Sequence, residues 1–352
     1  MRFLAVLTVR NEGAFLLEWL AHHLAVGFTD FLVFSNDCQD GTDTMLDKLA
    51  ELGYLIHLRN DGPHDQRGIQ FTALKTASRH PLVKNADWIL TLDVDEFMNI
   101  HAGDGTLPAL LEALPDADAI TLTWRLFGCS DKLRFEEKPV TETFLRAAPE
   151  VLNWPWRAAM FKTLYRNNGV YKKLGVHRPR SPDQDQVDTV RWFDGEGREL
   201  DKQFRTKRIF SNFGRPNYRH VQLNHYPLGA MESFVLKADR GRAVHSDHML
   251  DVDYWVERNF NIETDETILR YQTDRQCNME TFLADQSLQD LHTSAVDWRR
   301  KRFTELMQDE PYRALFARLM MTPPTRPLNA KTAQTLMSFA NLGRQKAQQG
   351  TD

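Results

Sequence analysis

Asp93 and Asp95 stand two residues apart at the end of the apolar run Trp88 to Leu92. Residues two apart in an extended strand point to the same side, so the two carboxylates can face one small cation. A Mg2+ or Mn2+ ion takes oxygen ligands and leaves coordination positions for substrate phosphates, which suits a site built on one or two carboxylates. Glu96 and Phe97 follow directly. Three acids wedged between core residues repel one another unless a cation compensates them. A solvated acidic turn is the competing reading of the spacing.

Other polar groups sit at equivalent points. Arg10, Asn11 and Glu12 follow the run Phe3 to Val9, and Asn36 and Asp37 follow Asp30 to Phe34. Amides and carboxylates there can bond a base or ribose, although an Asx turn or a helix cap uses the same residues. Gln70 and Lys75 lie on the stretch Ile69 to Ser78, which reads as a helix ahead of the Asp93 strand. Lys162 and Lys237 can offset diphosphate charge, and Trp124 with Phe127 and Gly128 can offer a sugar ring an apolar platform. The ordinary alternatives are surface lysines and core aromatics.

These groups need a scaffold that brings them together. Apolar runs at 3–9, 30–34, 54–58 and 88–92 alternate with helical patterns at 14–25, around 45–49 and at 69–78. Alternating strands and helices imply right-handed crossovers, hence an α/β fold with a mainly parallel central sheet flanked by helices. Such sheets bind ligands beyond the carboxyl ends of their strands, where the polar groups above fall. Ala119 to Leu126 reads as a further strand, and 146–223 as sheet completion and acceptor-side loops. The pattern turns helical from Met231, giving an expected division into a domain at 1–230 and a helical extension at 231–352. From Trp298 to Lys346 there are ten Lys or Arg against three acids, so this extension is basic.

The chain has 352 residues and a formal net charge of -4, which argues against a nucleic-acid surface spread over the molecule. Its three cysteines are widely spaced and support neither a disulfide framework nor a zinc ribbon. The first apolar run is too short for a signal sequence or a membrane span, so a cytoplasmic location is expected.

Several motifs occur together: Arg10-Asn11-Glu12, Glu18-Trp19, His22-His23, Gly27-Phe28, Ser35-Asn36-Asp37, Asp40-Gly41-Thr42 and Asp93-Val94-Asp95-Glu96-Phe97. With Trp124 to Gly128, Gly175-Val176-His177, His225-Tyr226, Phe234 and Lys237, the set resembles the family-2-like and family-92-like glycosyltransferases over about residues 1 to 245. The resemblance implies the GT-A (Rossmann-like) fold and a nucleotide-sugar donor, most simply a UDP-sugar. It also implies a Mn2+ or Mg2+ ion on Asp95 and His225, with Asp93 on the ribose or the metal and His177 as the rival third ligand. It further implies a glycan or lipid-linked acceptor, inversion at the anomeric carbon and a role in surface polysaccharide synthesis. The charge of the tail suits contact with anionic lipid at the inner face of a membrane, with a solvated helix as the commoner reading. Inversion needs a carboxylate base, for which Asp131 and Glu142 are the candidates. A nucleotidyltransferase is the main alternative, but Arg10-Asn11-Glu12-Gly13 is a poor phosphate loop. A haloacid-dehalogenase-like phosphatase would carry its Asp pair after the first strand of its core. A non-catalytic sugar-binding protein on the same fold is the remaining alternative.

Overall fold

The computed structural model describes residues 1–62, 64, 68–241 and 250–349, with the side chains of Trp156 and 343–349 outside that description. One nine-stranded sheet organises the chain. Its strands are β1 (Phe3–Val9), β2 (Asp30–Ser35), β3 (Ile56–Arg59), β4 (Trp88–Leu92), β5 (Glu96–Ile100), β6 (Ala119–Leu126), β7 (Phe161–Arg166), β8 (Trp192–Asp194) and β9 (Val221–His225). The order is β3-β2-β1-β4-β7-β6-β9-β5, with β8 beside the start of β6. Strands β3, β2, β1 and β4 are parallel; β7 is antiparallel to β4 and β6, and β5 is antiparallel to β9. The α/β class with helix-flanked sheet is the expected one.

Both faces of β1 are covered, so both sets of its alternating side chains are apolar. Ala5, Leu7 and Val9 join the core beneath helices Gly13–Val26, Thr42–Glu51 and Gln286–Leu306, while Leu4 and Val6 join a second core beneath helix Ile69–Ala77. Helix Gly13–Val26 ends at Gly27, whose φ of 107° is a left-handed cap that returns its N–H to the His23 and Leu24 carbonyls.

Strand β5 was not separable from the acidic motif in the sequence. It lies at the end of the sheet, and its free edge is covered by side chains of the first helix. Trp19 Nε1 donates to the Glu96 carbonyl (3.1 Å) and His22 Nε2 to the Met98 carbonyl (2.8 Å). His23 Nδ1 donates to the Trp19 carbonyl (2.8 Å), leaving Nε2 to accept from Met98 N at 3.4 Å. Side-chain bonds thereby replace the missing strand neighbour. Glu18, from the same motif, accepts from Val140 N (2.7 Å) and Thr141 N (3.0 Å) and anchors the segment around residue 140.

The loops after β1 and β2 are stitched together. Asp40 Oδ2 accepts from Gly13 N, Asp40 Oδ1 accepts from Thr42 Oγ1, and Thr42 Oγ1 accepts from Glu12 N at 2.9 Å. The Asp40-Gly41-Thr42 motif is thus a clamp that fixes where Arg10 and Asn36 lie.

Of the stretch expected to begin the helical extension, Lys237, Arg240, Gly241, Leu250, Tyr254 and Arg258 line the same cleft as the strand ends. Helices Gln272–Leu283 and Gln286–Leu306 pack on helix Gly13–Val26. Among the described residues no helix is long and apolar enough to cross a membrane.

Candidate functional site

A cleft of 430 Å³ opens where the carboxyl ends of β1, β2, β4 and β9 meet residues 250–258. Arg10, Glu12, Asn36, Gln70, Asp93, Asp95, Trp124, His177, His225 and Lys237 all line it. The sequence therefore brought the main candidates to one place. Asn11 faces a neighbouring cavity and exchanges hydrogen bonds with Gln39. Asp37, with φ 47°, is fixed by its N–H donating to Asp61 and is not a lining residue. Lys75 points to solvent, more than one helical turn from Gln70.

The two aspartates do not meet on one strand face. Strand β4 stops at Leu92, so Asp93 to Asp95 form a turn and the period-two argument does not apply to them. Each carboxylate takes its own cation. Asp93 Oδ2 accepts from Lys162 (2.8 Å) and Oδ1 from Gln70 Nε2 (3.0 Å). Asp95 Oδ2 accepts from Lys237 (2.7 Å), and His225 Nε2 lies 3.7 Å from Asp95 Oδ1. Two lysines compensate Asp93 and Asp95, and the third acid, Glu96, escapes the crowding by holding its proton. Lys162 is fully buried between Asp93 and Glu96 and so cannot reach a diphosphate in the cleft.

Electrostatics follow this pairing. Burial opposes ionisation of Asp95, but Lys237 and His225 outweigh it and hold its pKa far below the usual carboxylate range. Burial lifts Glu96 to about 8, against the pull of Lys162. Burial and then Lys162 push His177 down to about 4, while burial lowers His225 despite Asp95. Both imidazoles are neutral at pH 7, the form that ligates metals.

Glu96 also positions the cleft floor. Its Oε1 accepts from Trp124 Nε1 (2.6 Å), and the Trp124 ring lies 4.3 Å from the His225 ring and 5.6 Å from that of His177. Phe127 is fully buried beneath Tyr226 and belongs to the core, so Trp124 alone of that pair can meet a sugar.

Neither expected base lines the cleft. Asp131 sits in an exposed turn with φ 56°, accepting from Asn261 Nδ2, and Glu142 is paired with the buried Arg275. The acids lining the cleft among the described residues are Glu12, Asp93 and Asp95.

Sequence reasoning missed Arg157, Arg240, Tyr254 and Arg258, all of which line the cleft. Arg240 donates to Glu12 and to the Arg10 carbonyl. The Arg258 guanidinium stacks 3.6 Å from the Tyr254 ring centroid. Their i, i+4 spacing was the available signal, since side chains four apart meet on a helix face. Five cations (Arg10, Arg157, Lys237, Arg240, Arg258) face three acids across the cleft, a surplus suited to an anionic ligand.

Asp95 and His225 fit a divalent ion as far as the pair goes. The 3.7 Å between His225 Nε2 and Asp95 Oδ1 can be bridged by an ion bonding each at about 2.1 Å; His225 Nδ1, buried without a partner among the described residues, lies on the other side of the ring and takes no part in that bridge. Asp93 fits less well, because both of its oxygens are already engaged. No group of three His, Cys, Asp or Glu converges among the described residues.

Comparison with known proteins bears on this geometry. The chain is 26% identical over 149 residues to a glycosyltransferase family 92 protein of Oryza sativa subsp. japonica, covering 40% of this chain and 24% of that one. It is 26% identical over 97 residues to a family 92 protein of Ricinus communis, covering 27% and 16%. The matches thus span a quarter or less of each plant protein. Among solved structures, S. aureus TarS 1-349 in complex with UDP-GlcNAc aligns with a TM-score of 0.33 at 15% identity, over 90% of this chain and 84% of that one. Glucosyl-3-phosphoglycerate synthase from Mycobacterium tuberculosis, in complex with Mn2+ and UDP, aligns with a TM-score of 0.25 at 15% identity, over 35% and 44%. The model of glycosyltransferase family 92 matches residues 8–191, which hold the Arg10, Asn36, Asp93 and Asp95 side of the cleft. Over that majority of its length, the chain belongs to glycosyltransferase family 92.

Proposed function

We propose that the chain transfers a sugar from a UDP-sugar to a hydroxyl of a glycan or glycolipid. The observation that carries this reading is the division of one cleft. Arg10, Asn36, Gln70 and Asp93, at the ends of β1, β2 and β4 and on the helix beside them, offer polar partners for a base and ribose. Across the sheet, Asp95, Lys237 and Arg258, with the neutral His225, present one acid and two cations, a composition suited to a diphosphate.

A Mn2+ or Mg2+ ion on Asp95 and His225 would neutralise the departing diphosphate. Lys237, already turned toward Asp95, shares its charge with the leaving group as the glycosidic bond to phosphate breaks. Asp93, held by Gln70 and Lys162, keeps a fixed oxygen edge for ribose hydroxyls. Trp124, locked by Glu96, gives the sugar ring an apolar floor. Inversion and a role in surface polysaccharide synthesis rest on the family resemblance. A peripheral membrane position on the cytoplasmic side is supported by the C-terminal helix Ala330–Gln349. It exposes Phe339 and Leu342, and residues 311–349 carry Arg313, Arg318, Arg326, Lys331, Arg344 and Lys346 without one acid.

The test is UDP release from a panel of UDP-sugars with Mn2+, comparing the wild-type chain with Asp95→Asn. The reading expects release from at least one sugar and at least a hundredfold loss in the variant. Equal release from both proteins would overturn it.

A further inference from the structure

A second cavity, of 80 Å³, adjoins the cleft and shares Glu12, Val94, Asp95, Lys237 and Arg240 with it. Its walls are largely apolar and include the aromatic rings of Phe15, Phe135, Phe144, Tyr226 and Trp298. Arg299, from helix Gln286–Leu306, also lines it and is only 8% exposed. The guanidinium lies 4.6 Å from the Phe15 ring and 5.0 Å from the Phe135 ring.

Every other charged side chain lining this cavity has a partner. Glu12 holds Arg240, Asp95 holds Lys237, Glu136 holds Lys132 and Lys138, and Asp239 holds Arg302. Arg299 alone makes no salt bridge or side-chain hydrogen bond among the described residues: Asp40 and Glu232 act on it only through space, and its Nε is buried and unsatisfied. Burial lowers its pKa to about 10, which still leaves it charged at pH 7. Stacking on two phenyl rings offsets part of the desolvation cost, but a buried guanidinium is stable chiefly when an anion meets its donors.

We propose that this cavity is a binding site for a small organic oxyanion, a phosphate or carboxylate on an apolar group, with Arg299 as its anion-binding residue. The volume suits one such group, since a single water needs about 10–15 Å³ of the same space. The phenyl rings take the apolar part. Because Asp95 and Lys237 are shared with the cleft, a molecule seated here abuts the diphosphate end of the donor. It is then the acceptor that carries the oxyanion, an assignment that rests on the transferase reading above.

Calorimetric titration of the full chain with phenyl phosphate and with benzoate tests the site, with benzyl alcohol as the neutral control and UDP titrated in parallel. The expected result is saturable binding of at least one oxyanion, none of the alcohol, and a tenfold or greater weakening in Arg299→Met with UDP affinity unchanged. Arg299→Lys, which keeps the charge, should bind between the two and serves if the Met variant does not fold. Preference for phenyl phosphate over benzoate, or the reverse, identifies the oxyanion. The proposal is overturned if the wild-type chain binds neither, or if Arg299→Met binds as well as wild type, which would place the anion on the cleft cations. Oxyanion binding that depends on Arg299 in a chain that does not bind UDP would uphold the site and overturn its assignment to an acceptor.

Discussion

Lys162 Nζ lies 2.8 Å from Asp93 Oδ2 and 3.4 Å from Glu96 Oε2, and the lysine side chain is fully buried. One cation therefore neutralises Asp93 from inside the protein, while Glu96, lifted by burial to about 8, stays largely protonated at pH 7. Removing a single partner from a buried ion pair leaves an uncompensated charge and costs about 3–5 kcal/mol. Because the Asp93 side chain is 35% exposed and Glu96 is largely protonated, Lys162→Met should lose less than that, about 2–3 kcal/mol, by urea denaturation. A loss below about 1 kcal/mol would mean that the lysine is not the counter-ion of this motif.

Trp124 is held by Glu96 through a 2.6 Å hydrogen bond, while its ring faces the cleft beside His225. Trp124→Leu should lower kcat/KM for the sugar donor roughly tenfold through lost stacking. Affinity for UDP alone should stay within twofold. A parallel loss of UDP affinity would show that Trp124 serves the nucleotide instead.

The histidines of the first helix titrate with folding. Burial holds His23 at about 3 and His22 well below the ordinary imidazole value, so both are neutral when folded. The unfolded chain protonates them near pH 6.5. Their contribution is thus fully present above pH 6.5 and is lost as pH falls toward the folded values. The urea midpoint should drop between pH 7.5 and 5, and His23→Phe should drop less steeply. An identical slope in both proteins would contradict this.

Gly128 is enclosed. A Cβ there would stand 2.2 Å from Asn261 Oδ1 and 2.8 Å from the Phe260 carbonyl. Gly128→Ala should destabilise by about 1–3 kcal/mol, read from the urea midpoint. A neutral substitution would mean that the 259–261 segment yields freely.

Phe339 is 63% and Leu342 55% exposed on the C-terminal helix. Replacing both with Glu should at least halve co-sedimentation with phosphatidylglycerol vesicles. Phosphatidylcholine vesicles should retain little of either protein. Equal retention of the double variant on anionic vesicles would remove the membrane reading.

Much of the fold was legible because β1, β2, β4 and β6 are apolar runs between clear turn signals, and Gly27 marks a helix end. Strand β5 was hidden because Glu96 and Asn99 interrupt its apolar pattern; both are buried and bonded to distant residues. The candidate site was legible where polar residues follow strands directly, as at Arg10, Asn36 and Asp93. Lys162 was misjudged because a lysine in a strand usually reaches solvent, and only its partners across the sheet show otherwise. Arg258 and Arg299 were invisible for a related reason. Their roles depend on rings brought near by tertiary packing, Tyr254 in one case and Phe15 with Phe135 in the other.

Calorimetric titration with UDP, with and without Mn2+, in the wild-type chain and in Asp95→Ala, tests the central claim most directly. The account predicts UDP binding that Mn2+ strengthens at least tenfold and that the substitution returns to the metal-free level. Absence of UDP binding under both conditions would contradict the donor reading, and binding indifferent to Mn2+ and to Asp95 would contradict the role given to Asp95 and His225.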